Sequence, residues 1–113
     1  MPFVCVKTNK KIDDSKKVEI KAGLGKFIEL LPGKSENWLM VEIDDARDLY
    51  FKGSKEPAVM IEVKMFGGAN QSSLENFTRE VTKFVSSKLE VNSSRIYISY
   101  FATIDWGFNG SNF

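Results

Sequence analysis

The chain has 113 residues and balances 16 basic against 15 acidic side chains, for a net charge of +1. That length suits one domain, residues 1–113, and the near-neutral balance offers no electrostatic footprint for nucleic acid or an anionic membrane. There is no histidine and one cysteine, Cys5, which excludes an internal disulfide, a CxxC pair and a conventional zinc site, so neither metal nor cofactor is expected.

In chain order, Phe3 to Thr8 reads as a short strand rich in β-formers. Asp13 or Asp14 can cap a helix running to about Leu31, where Pro32-Gly33 stops it. Its apolar positions Ile20, Leu24, Phe27, Ile28 and Leu31 recur at helical spacing. Gly23 and Gly25 oppose that helix by about 1 kcal/mol each against alanine. Trp38 to Ile43 reads as a second strand, Asp44-Asp45 as a turn, and Leu49 to Phe51 as a short strand before Lys52-Gly53-Ser54. Ala58 to Phe66 is a further strand, punctuated by Glu62 and Lys64 and ended by Gly67-Gly68. Ser72 with Glu75 makes a capping box for a helix whose stripe is Leu74, Phe77, Val81, Phe84, Val85 and Leu89. Arg95 to Phe101 is the last full strand, and the tail from Asp105 to Phe113 adds Trp106, Phe108 and Phe113.

The order is strand-helix-strand, twice. Each unit should be a right-handed β-α-β crossover with parallel outer strands. Together they predict an α+β fold: one four-stranded mixed sheet, both helices on one face, and short extra strands. The other sheet face is expected to be apolar and covered by self-association. No secretory leader or membrane-length apolar run is present, which leads us to expect a cytoplasmic location and no membrane partner. The Asn-x-Ser/Thr sequons starting at Asn70, Asn76, Asn92 and Asn109 carry no glycan expectation without such a leader.

One residue points to chemistry. Methionine is generally removed before a small residue, and trimming Met1 would leave Pro2 as a secondary amine at the head of the first strand. An α-amine is mostly protonated at neutral pH, but burial and a nearby cation both favour its neutral form. In a chain without histidine, such an amine is the natural candidate for a general acid/base.

Five blocks in order carry a resemblance that spans the chain. They are Pro2-Phe3-Val4-Cys5-Val6-Lys7-Thr8-Asn9, Gly33-Lys34 with Trp38-Leu39-Met40-Val41, Phe51-Lys52-Gly53-Ser54-Lys55-Glu56-Pro57, Arg95-Ile96-Tyr97-Ile98, and Trp106 to Phe113. Together they resemble the macrophage migration inhibitory factor family, which includes D-dopachrome tautomerase. The resemblance implies a homotrimer with its pocket between subunits. It implies a keto–enol tautomerase of the phenylpyruvate or dopachrome isomerase type, an intramolecular oxidoreductase acting on a small aromatic keto or enol acid. It also implies the alternative of a cytokine-like ligand, exported by a non-classical route to a cell-surface receptor, in which the pocket is secondary.

Carried over residue by residue, the resemblance makes Pro2 the acid/base and Lys34 the cation for a substrate carboxylate or enolate oxygen. Tyr97 would enter the pocket from the adjacent subunit, and Trp106 and Phe108 would form its aromatic rim. The chain departs from the family pattern at Phe3, where the best-known members have methionine, and at Ser99, where they commonly have asparagine. Met65-Phe66-Gly67-Gly68 shortens a family segment whose isoleucine Phe66 would replace in the pocket. A family CxxC falls on Ala58 and Ile61, so thiol-disulfide chemistry is not implied. An RNA-recognition domain shares the element order, but Lys52-Gly53-Ser54 does not continue as its aromatic strand motif requires.

Overall fold

Pro2–Thr8 forms the first strand, β1, and Asp14–Phe27 the first helix, α1, in a computed structural model that describes residues 1–113. Asp13 is the N-cap: its Oδ1 accepts from the Lys16 N–H at 2.8 Å, satisfying one of the free donors of the first turn. The helix leaves α geometry earlier than its apolar stripe predicts. Ile28–Leu30 tightens into a 3-10 turn, and Leu31 already has extended backbone.

The Leu31-to-β2 connection holds a second 3-10 turn, Glu36–Trp38, so strand β2 is Met40–Asp44 and begins two residues later than its β-rich sequence suggests. Leu49–Phe51 is not a strand. Phe51 makes one bridge to Ser54 and the chain reverses at once, through Lys52 and Gly53 with positive φ. Strand β3 is Val59–Phe66, helix α2 is Gln71–Leu89 and strand β4 is Ile96–Thr103. The tail folds back as a two-stranded ribbon, β5 (Gly107–Phe108) and β6 (Ser111–Asn112).

Helix α2 starts from Asn70, not from a Ser72–Glu75 box. The Asn70 Oδ1 accepts from Ser73 N–H at 2.8 Å and also from the Ser72 hydroxyl at 2.9 Å. The Asn→Ala change at 70 should therefore cost about 1 kcal/mol, and Ser72→Ala only a few tenths. Urea denaturation of the two variants separates the caps; equal losses would restore Ser72 as the anchor.

The sheet order is β2-β1-β3-β4. β1 runs parallel to β2 and antiparallel to β3, and β3 runs parallel to β4, as a doubled β-α-β unit requires. Both helices pack on one face. Val4, Val6, Ile61, Val63 and Met65 from the strands meet Ile20, Leu24, Ile28, Phe77, Val81 and Val85 from the helices, and all are essentially inaccessible. Gly23 has a positive reason to be glycine: a Cβ there would lie 2.0 Å from the Phe84 ring, so the helices pack this closely only without a side chain.

The open face is not the apolar surface expected from strand alternation. Phe3, Met40, Met60, Tyr97 and Phe101 share it with Lys7, Glu42, Glu62 and Lys64. Lys7 and Glu62 cross from β1 to β3 as an ion pair at 2.8 Å. Cys5 sits in the middle of this face, 2% exposed, between Glu42 and Glu62. Burial first, and then the Glu42 carboxylate, push its thiol up to about 11.

Candidate active site

Register places the head of β1 at one end of the sheet. Pro2 pairs with Met65, and its side chain is buried on the helix side of the strand. Before it, the Met1 carbonyl accepts from the Phe66 N–H at 3.1 Å. The Phe66 carbonyl in turn accepts from the Lys34 ammonium at 3.2 Å. The backbone of Phe66 is thus the link between the amino terminus and Lys34. Lys34 gets there because the chain turns at Gly33, with φ +79, directly after the 3-10 end of the first helix.

This arrangement has an electrostatic signature. The Met1 amine is held below its ordinary value, chiefly because burial penalises its charged form and secondly because the Lys34 cation repels it.

Beside Pro2 lies a cleft of about 380 Å³ lined by Met1, Phe3, Trp38, Met40, Trp106 and Phe108 among others. Trp38 and Phe108 meet edge to face, with centroids 5.4 Å apart. The ribbon β5–β6 carries Phe108 to the cleft, and the Phe113 N–H donates to the Trp106 carbonyl at 3.1 Å to close the tail on itself. Phe113 packs on Phe66 at 5.0 Å. Of the residues singled out from the sequence, Pro2, Phe3, Trp106 and Phe108 line one cleft, and Lys34 and Phe66 join it through the backbone of Phe66. Trp38 and Phe113 carry no mark of a site in the sequence. Trp38 reads as a strand residue until the 3-10 turn is seen, and only the fold-back of the tail brings Phe113 to Phe66.

Tyr97 and Ser99 are elsewhere. Tyr97 pairs with Met60, which lies opposite Lys7, whereas the strand position beside Pro2 and Met65 on β4 is Ala102. Five residues of strand separate the two ends, roughly 17 Å. Tyr97 and Ser99 are exposed on the open face, and Tyr97 borders a second, mostly apolar cleft of about 170 Å³ with Tyr50, Phe51, Met60 and Arg95. Within one chain they do not meet Pro2.

The whole chain, residues 1–113, matches the macrophage migration inhibitory factor (MIF) family. It is 24% identical to a macrophage migration inhibitory factor homologue from Wuchereria bancrofti, over 100% of this chain and 99% of that one. It is 25% identical to the corresponding homologue from Trichuris trichiura, over the full length of both. Among solved structures, MIF2 of Leishmania major shares the fold at a TM-score of 0.93 and 28% identity, over 100% of this chain and 97% of that one. The macrophage migration inhibitory factor of Trichinella spiralis shares it at 0.84 and 22%, over 98% and 99%. With the doubled β-α-β sheet and a full-length match in hand, the chain belongs to the macrophage migration inhibitory factor family.

Proposed function

We propose that this protein is a keto–enol tautomerase whose acid/base is the amine of Pro2, exposed by removal of Met1. The observation that carries the reading is the run of contacts from the Met1 carbonyl through both backbone groups of Phe66 to Lys34. It sets the amino terminus, a cation and an aromatic cleft side by side. Trimming Met1 removes the acceptor on the Phe66 N–H and leaves that donor free beside the Pro2 nitrogen.

The substrate class follows from the groups present. Lys34 and the freed Phe66 N–H suit a carboxylate, and Trp38, Trp106 and Phe108 suit an aromatic ring, as in phenylpyruvate. The neutral amine takes a proton from the carbon next to the keto group. Negative charge develops on the carbonyl oxygen, where a fixed donor stabilises it. The resulting ammonium then gives the proton to that oxygen, completing the enol and restoring the base. Tyr97 and Ser99 would serve a cleft on a neighbouring copy, in a homotrimer, because neither reaches Pro2 of its own chain.

The test pairs intact mass with phenylpyruvate turnover on untagged protein. Chain lighter by one methionine should enolise phenylpyruvate; trimmed chain that leaves it untouched ends the proposal. Lys34→Met adds a sign to check. Lys34 already lowers the pKa of the Met1 amine, and the same repulsion would act on a Pro2 amine one residue away; its loss should then move the acid limb of the kcat/KM profile to higher pH, and KM should rise as the carboxylate loses its partner. An unmoved limb with unchanged KM would remove Lys34 from the site.

A further inference from the structure

We infer that Phe51 and Arg95 are positioning residues for the Tyr97 ring, an inference that rests on reading Tyr97 as a pocket donor. Within one chain Tyr97 is 60% exposed, and before any neighbouring copy docks a tyrosine so exposed would ordinarily exchange rotamers on the picosecond to nanosecond scale. Tyr97 has a wedge against it. The Phe51 ring meets it edge-on, centroids 5.0 Å apart and planes at 81°. Arg95, at the end of the 3-10 turn Ser93–Arg95 that leads into β4, lays its guanidinium over the Phe51 ring at 5.1 Å. The three side chains form one stack, with Phe51 in the middle.

The middle member is fixed by its own loop. Lys52 and Gly53 have φ of 53° and 75°, the signature of a primed tight turn, and Phe51 and Ser54 exchange backbone hydrogen bonds of 2.9 and 3.1 Å. Arg95 donates to the carbonyls of Pro57, Glu56 and Ser54 at 2.9, 2.9 and 3.3 Å. From the other side, the Asn9 amide donates to the carbonyls of Leu49, Lys55 and Glu56 at 3.1, 3.0 and 3.0 Å, and its oxygen accepts from the Ala58 N–H at 3.0 Å. So many donors spent on one surface loop leave it little freedom, and its only aromatic contact onto the sheet is the one that holds Tyr97. The planar guanidinium reaches this fork of carbonyls through Nε and one terminal nitrogen while its face covers the ring, which a lysine ammonium could not do.

Fixing the ring matters because a donor helps only when held where charge develops, and small misplacements cost large factors. Phe51→Leu should lower kcat/KM for phenylpyruvate roughly tenfold, and Phe51→Tyr, which keeps the ring, should restore it. In a Tyr97→Phe background the same Phe51→Leu change should cost less than about twofold, because the hydroxyl it positions is already gone. Full multiplication of the two losses would overturn the inference, as would a Tyr97→Phe variant with unchanged kinetics. In the latter case turnover that still depends on Pro2 leaves the tautomerase reading standing. A second readout needs no turnover. With 3-fluorotyrosine in place of the three tyrosines, Phe51→Leu should move the Tyr97 fluorine resonance toward the solvent-averaged shift while that of Tyr100 stays put. An unmoved Tyr97 resonance overturns the inference even if the wild-type chain proves inactive.

Discussion

Protein that keeps Met1, or carries an N-terminal tag, should turn over phenylpyruvate roughly 10²–10⁴-fold more slowly than trimmed protein. The reason is covalent. With Met1 attached, the Pro2 nitrogen is a tertiary amide, its lone pair is delocalised into the carbonyl, and it has no basicity to offer. The Met1 carbonyl also holds the Phe66 N–H at 3.1 Å, which keeps that donor from a substrate carboxylate. Stability should hardly change, because β1 forms with its full register while Met1 is in place. Matched thermal melts with a collapsed rate identify a chemical loss. Equal rates for tagged and trimmed protein would mean that the base lies elsewhere.

The largest effect on the fold itself is expected at Phe77. Its ring is inaccessible, sits where α2 crosses the sheet, and lies 6.2 Å from the Tyr100 ring. Phe77→Ala should cost about 3–5 kcal/mol, the transfer free energy of the ring plus the cavity it leaves. Against a usual total of about 5–15 kcal/mol that is a large share, and it corresponds to a Tm lower by roughly 15 °C. Urea titration at one fixed protein concentration measures it, since any self-association would shift the midpoint by mass action. A loss below about 1 kcal/mol would show that the neighbouring rings close the cavity. Tyr100 is the one to watch there, although its hydroxyl is already engaged with Thr78 at 2.7 Å and the Leu74 carbonyl at 3.1 Å.

The fold was legible because each half of the chain repeats one pattern. Val4 and Val6 alternate, Ile20, Leu24 and Ile28 recur at helical spacing, and the second half does the same with Ile61, Val63, Phe77, Val81 and Val85. What was not legible came from competition between equally good local signals. Ser72 and Glu75 satisfy the capping-box spacing, but Asn70 is also a strong cap and lies earlier, so the helix starts two residues sooner and Ser72 is absorbed into it. Leu49, Tyr50 and Phe51 have strand propensity and no strand to pair with, because Lys52 and Gly53 reverse the chain at once. The open face, expected to be apolar, tolerates Glu62 because Lys7 stands opposite to pair with it, a fact of strand register.

The site divides in the same way. Pro2 announced itself by chemistry, whereas Lys34 was marked only by the family resemblance. The link between them runs through the backbone of Phe66, sixty-odd residues from Pro2, and backbone hydrogen bonds leave no trace in side-chain identity. Tyr97 stands at the far end of the sheet from Pro2, a fact of strand register that residue types do not encode.

Cys5 has a consequence of its own. A reagent that attacks thiolates needs both access and ionisation, and this side chain has neither while the sheet is closed. Opening the chain would relax the thiol toward an ordinary value of roughly 8.5 and raise its thiolate fraction by about two orders of magnitude. The protein thus carries a single internal tripwire, silent in the native state and set off only by molecules in which the centre of the sheet has come apart.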